Sequence, residues 1–329
     1  MGSTKLAGSS KYRGQSLENL RAVFPEGDIY AVTDDDRLGP PAMQAGLWHV
    51  PIAELAGLPP GANVILFLRR TFPSIELRRA LQSAKVLVVP ISAFDPALDA
   101  ALYTQSLVFR TDYRAVCQRN KYWVDNITSQ PGPLVFSSED DDGSGPRTDL
   151  TCRLGEQLRA DTTLRPQVAA GEWLSVGGYC EFALIPESAQ DGAIVVDGVA
   201  AAAGMLVAAD GGSTTAGADR CRAARRLRVA MLESGPITLR MEGGVLSCVR
   251  AGATDFTDAV RMVTNPAYGL RILELGIGTN QEVLPWLDWS VNSQLNEGAG
   301  PVHLGFGEGI TGAHIDFVIG HGSHRFLAA

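Results

Sequence analysis

At 329 residues, with 45% hydrophobic and 19% charged side chains, the chain is long enough for two domains sharing an interface, and its balance excludes a disordered polypeptide. A formal net charge of −8 excludes a general nucleic-acid binder, which needs a basic face for phosphate contacts. The five cysteines are odd in number and contain no CxxC pair, which excludes a zinc ribbon or disulfide framework and leaves buried free thiols in a reducing compartment.

The opening stretch, MGSTKLAGSSKYRGQS, lacks the apolar centre of a signal peptide, and no later run reaches about 18 apolar residues. The expectation is a cytoplasmic protein with no membrane partner. DIYAVTDDD (28–36) reads as a strand running into an acidic turn, with Asp34, Asp35 and Asp36 solvated. NVILFLRR (63–70) and KVLVVPIS (85–92) are continuous apolar runs, as strands buried on both faces produce. Between them, PSIELRRALQSA (73–84) has helical apolar spacing with proline at its start. Strand, helix, strand in this order predicts parallel pairing through a right-handed crossover. Neither GxGxxG nor GxxxxGK[ST] follows a strand, so this layer is given a structural or substrate-lining role rather than nucleotide binding.

FSSEDDDGSGPRTD (136–149) is acidic and rich in serine and glycine, the composition of an exposed connection. Beyond it, TCRLGEQLRADTTLRP reads as a strand and turn, and WLSVGGYCEFALIPE (173–187) as one extended segment. Glu181 stands among apolar neighbours there, where a carboxylate is costly to bury unless paired or metal-bound. GPITLRMEGGVLSCVRAG (235–252) places two glycines between alternating runs, a hairpin signature. DRCRAARRLRVAMLES and TDFTDAVRMVTN are the helical exceptions, and the basic run RCRAARRLR reads as an exposed helix face. The expected fold is therefore an α/β N-terminal domain over 1–135, a small doubly wound parallel sheet. An acidic linker (136–150) follows, then an α+β, strand-rich metal-site domain over 151–329.

Four of the five histidines, His303, His314, His321 and His324, lie beyond residue 300. VHLGFG and HIDFVI read as strands, and residues two apart on a strand share a face, so His314 and Asp316 can address one ion. His303 adds a second imidazole. Two imidazoles and one carboxylate with open positions suit non-haem Fe(II), and added carboxylates suit hydrolysis by one or two divalent ions. GHGSHRF, with His321 and His324, is read as a mobile or capping tail rather than as ligands, and Trp286 and Trp289 as core or interface residues.

Taken together, YCEFALIP, the MEGG hairpin, RILELGIGTN, NEGAGPVHLGFGEG and AHIDFVI resemble the C-terminal metal-binding domain of the aminopeptidase T family, from about 173 to 319. That family includes two-metal peptidases and relatives that are 2,5-dihydroxypyridine-type iron dioxygenases. The resemblance implies a divalent metal (Zn, Mn, Co or Fe(II)) held by Glu181, Glu274, His303, His314 and Asp316. Glu274 takes the bridging place. By their chemistry Glu181 and Glu274 can complete a second metal site, or act as catalytic general base or substrate anchor. It also implies a peptide or small-molecule substrate and a homodimer, with LPWLDW as a contact. Ile310 stands where the peptidases carry a tyrosine ligand, and only ten residues separate His303 from His314. These departures keep open a single-iron dioxygenase and a non-catalytic peptide-binding relative serving a natural-product pathway.

Overall fold

Runs of valine, isoleucine and leucine bounded by proline, glycine and polar residues set the strands of this chain, and the computed structural model describes residues 10–129, 132–138, 147–188, 192–209 and 214–327. In chain order the elements begin with α1 (Ser10–Val23), β1 (Ile29–Thr33), α2 (Gly39–Gln44), β2 (Trp48–Pro51), β3 (Asn63–Phe67), α3 (Ile75–Ala80), β4 (Lys85–Val89), α4 (Ile91–Phe94), α5 (Leu98–Arg110) and α6 (Tyr113–Ser129). They continue with β5 (Leu134–Ser138), β6 (Thr148–Leu154), β7 (Leu158–Asp161), β8 (Trp173–Ser175), α7 (Val176–Cys180), β9 (Glu181–Pro186), β10 (Ile194–Ala202), β11 (Gly204–Ala208) and α8 (Thr215–Ser234). The last are β12 (Ile237–Glu242), β13 (Val245–Ala251), β14 (Thr254–Asp255), α9 (Thr257–Val263), β15 (Glu274–Gly278), α10 (Gln294–Glu297), β16 (Val302–Phe306), β17 (His314–Ile319) and β18 (Ser323–Phe326).

The first sheet has the order β2-β1-β3-β4-β8 with every pairing parallel. Alternate residues of its strands enter two separate cores. Ala31, Ile65, Phe67 and Leu87 pack against α1, α5 and α6, whereas Val32, Val64, Leu66 and Val86 pack against Leu77 and Leu81 of the α3 region. Both faces are therefore covered, as a doubly wound layer requires and as the unbroken apolar runs anticipated. The last strand of this sheet, β8, comes from beyond residue 150. The expected linker opens in β5 and closes in β6, which pair with each other, so Phe136 and Ser137 are strand residues; 139–146 lie outside the described residues. Trp173–Glu187 is not one extended segment, because the one-turn helix α7 separates β8 from β9.

Two antiparallel sheets form the remainder, a seven-stranded one in the order β14-β13-β12-β10-β6-β5-β18 and a six-stranded one in the order β11-β17-β16-β15-β9-β7. The MEGG hairpin turns between β12 and β13, with Gly243 and Gly244 both at positive φ, as a tight two-residue turn demands. A single core lies between these sheets, capped by α8 and α9. The parallel layer plus strand-rich antiparallel sheets agree with the expected mixed fold class. Ser323–Phe326 is no loose tail. It pairs with β5, and the His324 ring lies 4.3 Å from that of Trp123. Trp286 is 45% exposed under the guanidinium of Arg110, so it is not a core residue. Arg228 departs from the exposed basic face. It is buried and donates to the carbonyls of Met205 and Ser290. Four of the five cysteines are buried, and all five are free. No described helix is long and apolar enough to cross a membrane.

Candidate metal centre

The six-stranded sheet has two unlike faces. Phe182, Leu184, Leu275, Ile277, Leu304 and Phe317 point into the core between the sheets. With a period of two, the intervening residues Glu181, Glu274, His303, His314 and Asp316 must all emerge on the other face. Register then draws them together. Gly276 lies opposite His303, Gly305 opposite both Glu274 and Asp316, and Gly278 opposite Glu181. The glycines leave room for the longer side chains. A Cβ on Gly276 would stand 1.9 Å from the His303 ring, and one on Gly305 would stand 2.8 Å from Asp316 Oδ1.

All five sequence-assigned residues converge, and the fold adds a sixth, Glu297, from α10. His303 Nε2 lies 3.6 Å from Glu181 Oε2, 3.5 Å from Glu274 Oε1 and 3.4 Å from Glu297 Oε1. His314 Nε2 lies 3.5 Å from Glu274 Oε2 and 3.0 Å from Asp316 Oδ1. The Glu274 carboxylate thus spans the two imidazoles, the bridging place that the resemblance implied. Two donor groups can be drawn around separate points, Glu181–Glu274–Glu297–His303 and Glu297–His314–Asp316, and Glu297 belongs to both. Sequence reasoning passed over Glu297 although it lies within the quoted NEGAG segment. The signal available was a glutamate flanked by glycine and small residues six positions before His303.

Four carboxylates and two imidazoles share this space, and no lysine or arginine forms an ion pair with them among the described residues. The electrostatics register the crowding. Burial, then the charges of Glu297 and Glu274, push Glu181 well above the usual carboxylate range. Burial and the Asp316 charge push Glu297 up to about 8. Burial also opposes ionised Glu274, but the neighbouring His303 and His314 more than offset it and hold its pKa low. Burial pulls His303 down, yet the surrounding carboxylates raise it to about 9, and they drive His314 well above its ordinary value against the same desolvation.

The geometry fits a divalent cation. Ligand atoms about 2.0–2.2 Å from a common ion, at angles between square and tetrahedral, stand roughly 3.0–3.6 Å from one another. The nitrogen–oxygen separations above fall in that interval. At 3.5 Å the His303–Glu274 contact is a long hydrogen bond, and the other contacts are too long or too poorly aligned to satisfy the groups. Glu181 Oε2 and both oxygens of Asp316 are buried without a hydrogen-bond partner. His314 Nδ1 lies 2.7 Å from the Gly307 carbonyl, to which it donates, and this turns the lone pair of Nε2 toward the carboxylates. A hard, anionic oxygen set with two imidazoles suits Zn, Mn, Co or Fe(II). Ile310 lies outside this cluster. Its side chain is 44% exposed, and its carbonyl accepts from Thr214 N.

His303 and Asp316 form the closed floor. Glu181, Glu274, Glu297 and His314 line a cleft of about 480 Å³ that is walled on its other side by Trp173, Ser175 and Phe94 of the parallel layer. Of these three, Trp173 and Ser175 belong to β8, beyond residue 150, and only Phe94 comes from the expected N-terminal domain.

A family model described as crocagin biosynthetic protein CgnE/B matches residues 26–327. The chain belongs to that family. The CgnE/B match takes in every residue of the centre from Glu181 to Asp316. No curated protein matches this CgnE/B chain. A solved structure of wild-type AmpT from Thermus thermophilus is similar at a TM-score of 0.48 and 16% identity, covering 97% of this chain and 98% of that one.

Proposed function

We propose that this chain is a metal-dependent enzyme of natural-product biosynthesis acting on a peptide or amino-acid-like intermediate. The observation that carries the reading is the set of buried carboxylate oxygens of Glu181 and Asp316 that lack partners while facing two imidazoles. Buried carboxylate oxygens without hydrogen-bond partners are costly, and a cation completing the cluster would satisfy them. The family description supports the biosynthetic part of the reading, and the resemblance of the ordered motifs to the aminopeptidase T family supports the metal-dependent part. A bound divalent ion supplies Lewis acidity to a carbonyl and acidifies a water.

The chain's own residues divide the remaining work. Asp316 and His303, fully buried, hold position on the floor. His314 is oriented by Gly307. Glu181 and Glu274 open onto the cleft and are placed to carry a proton to or from substrate.

A second reading, a non-catalytic peptide-binding relative, is favoured by one feature, the missing tyrosine ligand at Ile310. Elemental analysis of purified protein beside His303→Ala and Asp316→Ala separates the readings. One to two equivalents of divalent metal, lost in both variants, are expected, and metal-dependent turnover of peptides should follow. A single equivalent of iron redirects the assay to dioxygen chemistry. If no metal binds after reconstitution with Zn, Mn, Co or Fe(II), the enzymatic reading fails and peptide binding takes its place.

A further inference from the structure

On the far side of β9 from the metal cleft lies a larger cavity of about 870 Å³. Its floor is Phe182 and Leu184, and its walls include Val124, Ile127, Leu158 and Phe326. It opens where the two antiparallel sheets end, beside β7. That strand is the last of the six-stranded sheet and, among the described residues, pairs only with β9.

The register of β7 decides which backbone groups are free. Glu187 N donates to the Gln157 carbonyl at 3.2 Å, and the ladder continues with Leu158 opposite Pro186, Arg159 opposite Ile185, Ala160 opposite Leu184 and Asp161 opposite Ala183. Hydrogen-bonded and non-hydrogen-bonded pairs alternate in an antiparallel ladder. Arg159 and Asp161 therefore direct their N–H and C=O toward β9, and Leu158 and Ala160 direct theirs outward. Among the described residues nothing pairs with these outward groups. Side chains alternate as well. Leu158 and Ala160 line the apolar cavity, whereas Asp161 lines the metal cleft. β7 is thus the wall between the two spaces, and its Asp161 end runs on through Thr162, which donates to the Glu181 carbonyl.

We propose that a peptide substrate docks as an added antiparallel strand on the free edge of β7, seating apolar side chains in the 870 Å³ cavity and presenting its amino terminus to the metal cleft. The inference rests on the peptide-substrate part of the function proposed above. Strand addition supplies affinity through main-chain hydrogen bonds and specificity through alternate side chains. Residues directly opposite one another share a face. Counting from an N-terminal residue opposite Asp161, the second and fourth residues face Ala160 and Leu158, and their side chains enter the apolar cavity. The direction follows from charge. The carboxylates of Glu181, Glu274 and Glu297 line the cleft at one end of the edge, where Asp161 is paired with Arg159 at 3.5 Å, and this acid-rich end attracts an ammonium group rather than a carboxylate.

The test uses the metal-loaded full chain and the peptide Ala-Leu-Ala-Leu-Ala-Lys, with a free amino terminus and fluorescein on the lysine, read by anisotropy. Saturable binding is expected. N-methylation of the second residue, which removes the donor to the Ala160 carbonyl, should weaken it about tenfold, whereas N-methylation of the third residue should change it little. Ala160→Pro removes the outward N–H without breaking a bond to β9, and it should also cost about tenfold. No binding of the parent peptide, or equal effects of the two methylations, overturns the proposal. Repeating the titration with Asp316→Ala separates it from the metal reading. Edge-dependent binding that survives in that variant shows the β7 site to stand apart from the metal, so a failure of the catalytic assignment leaves the docking proposal in place.

Discussion

Two acid-rich places in this molecule bury carboxylates and solve the problem in opposite ways. After β1, Asp34 accepts from the backbone N–H groups of Arg69, Arg70 and Thr71 and from the Thr71 hydroxyl. Asp35 beside it is buried and paired with Arg37, Arg69 and Arg70. The sequence reading of a solvated acidic turn holds for Asp36, which is exposed, and is corrected for Asp34 and Asp35, because the arginines that follow β3 fold back over the turn. On the six-stranded sheet, Glu181, Glu274, Glu297 and Asp316 have two imidazoles and no ion-paired arginine or lysine among the described residues. Burial of an acid is thus no mark of a site by itself. What distinguishes the second cluster is that the protein leaves its oxygens unpaired.

Adding and removing metal should give the largest effect that separates the two clusters. At a free Zn or Mn concentration about a thousandfold above Kd, ligation of the folded state alone stabilises by about 4 kcal/mol. The melting temperature should rise accordingly in the parent protein and in Asp35→Ala, but not in Glu181→Gln. In chelator, Glu181→Gln should melt no lower than the parent, because it removes one of four crowded carboxylates. A clear destabilisation by Glu181→Gln in chelator would contradict the contrast drawn here. Next in size is Asp35→Ala itself. It leaves Arg69 without its buried partner and should cost about 2–3 kcal/mol in urea unfolding, held below the fully buried case because Arg37 and Arg70 are half-exposed.

The smallest effect is in acid. Hydrogen bonding from Arg37 holds the Asp35 carboxyl far below its ordinary value. A carboxyl depressed on folding contributes stability above its unfolded pKa, and that contribution is lost as pH falls toward the folded value. Between about pH 4 and pH 2 the parent should therefore lose stability more steeply than Asp35→Asn. Parallel acid limbs in the two proteins would assign the arginine cluster no energetic role.

Five of the six residues of the candidate centre were legible in the sequence, on different grounds. His314 and Asp316 share a strand face because strands repeat every two residues, His303 stands in a neighbouring apolar run and Glu181 among apolar residues, while Glu274 was marked only by the resemblance to the aminopeptidase T family; inter-strand register decided that all five meet on one face. Glu297 was not legible in that way. It sits in the one-turn helix α10, which has too few residues for a period, and the packing of α10 against α5, α7 and β17, with Tyr103 donating to Asn296, brings it over His303. The strand character of Ser323–Phe326 was missed for a related reason, since its pairing partner β5 lies nearly two hundred residues earlier.

By itself, then, the sequence determined the alternation of apolar and polar residues, the parallel order of the first strands, the MEGG turn and the types of ligand available, all of which follow from local sterics and short-range periodicity. The tertiary structure alone decided which carboxylates have cations beside them, which strand carries the free edge at Leu158 and Ala160, and that β8 joins the parallel layer to the metal-site sheet. Those outcomes depend on pairings between residues far apart in the chain, and long-range register is set by the combined packing of whole sheets rather than by any one segment.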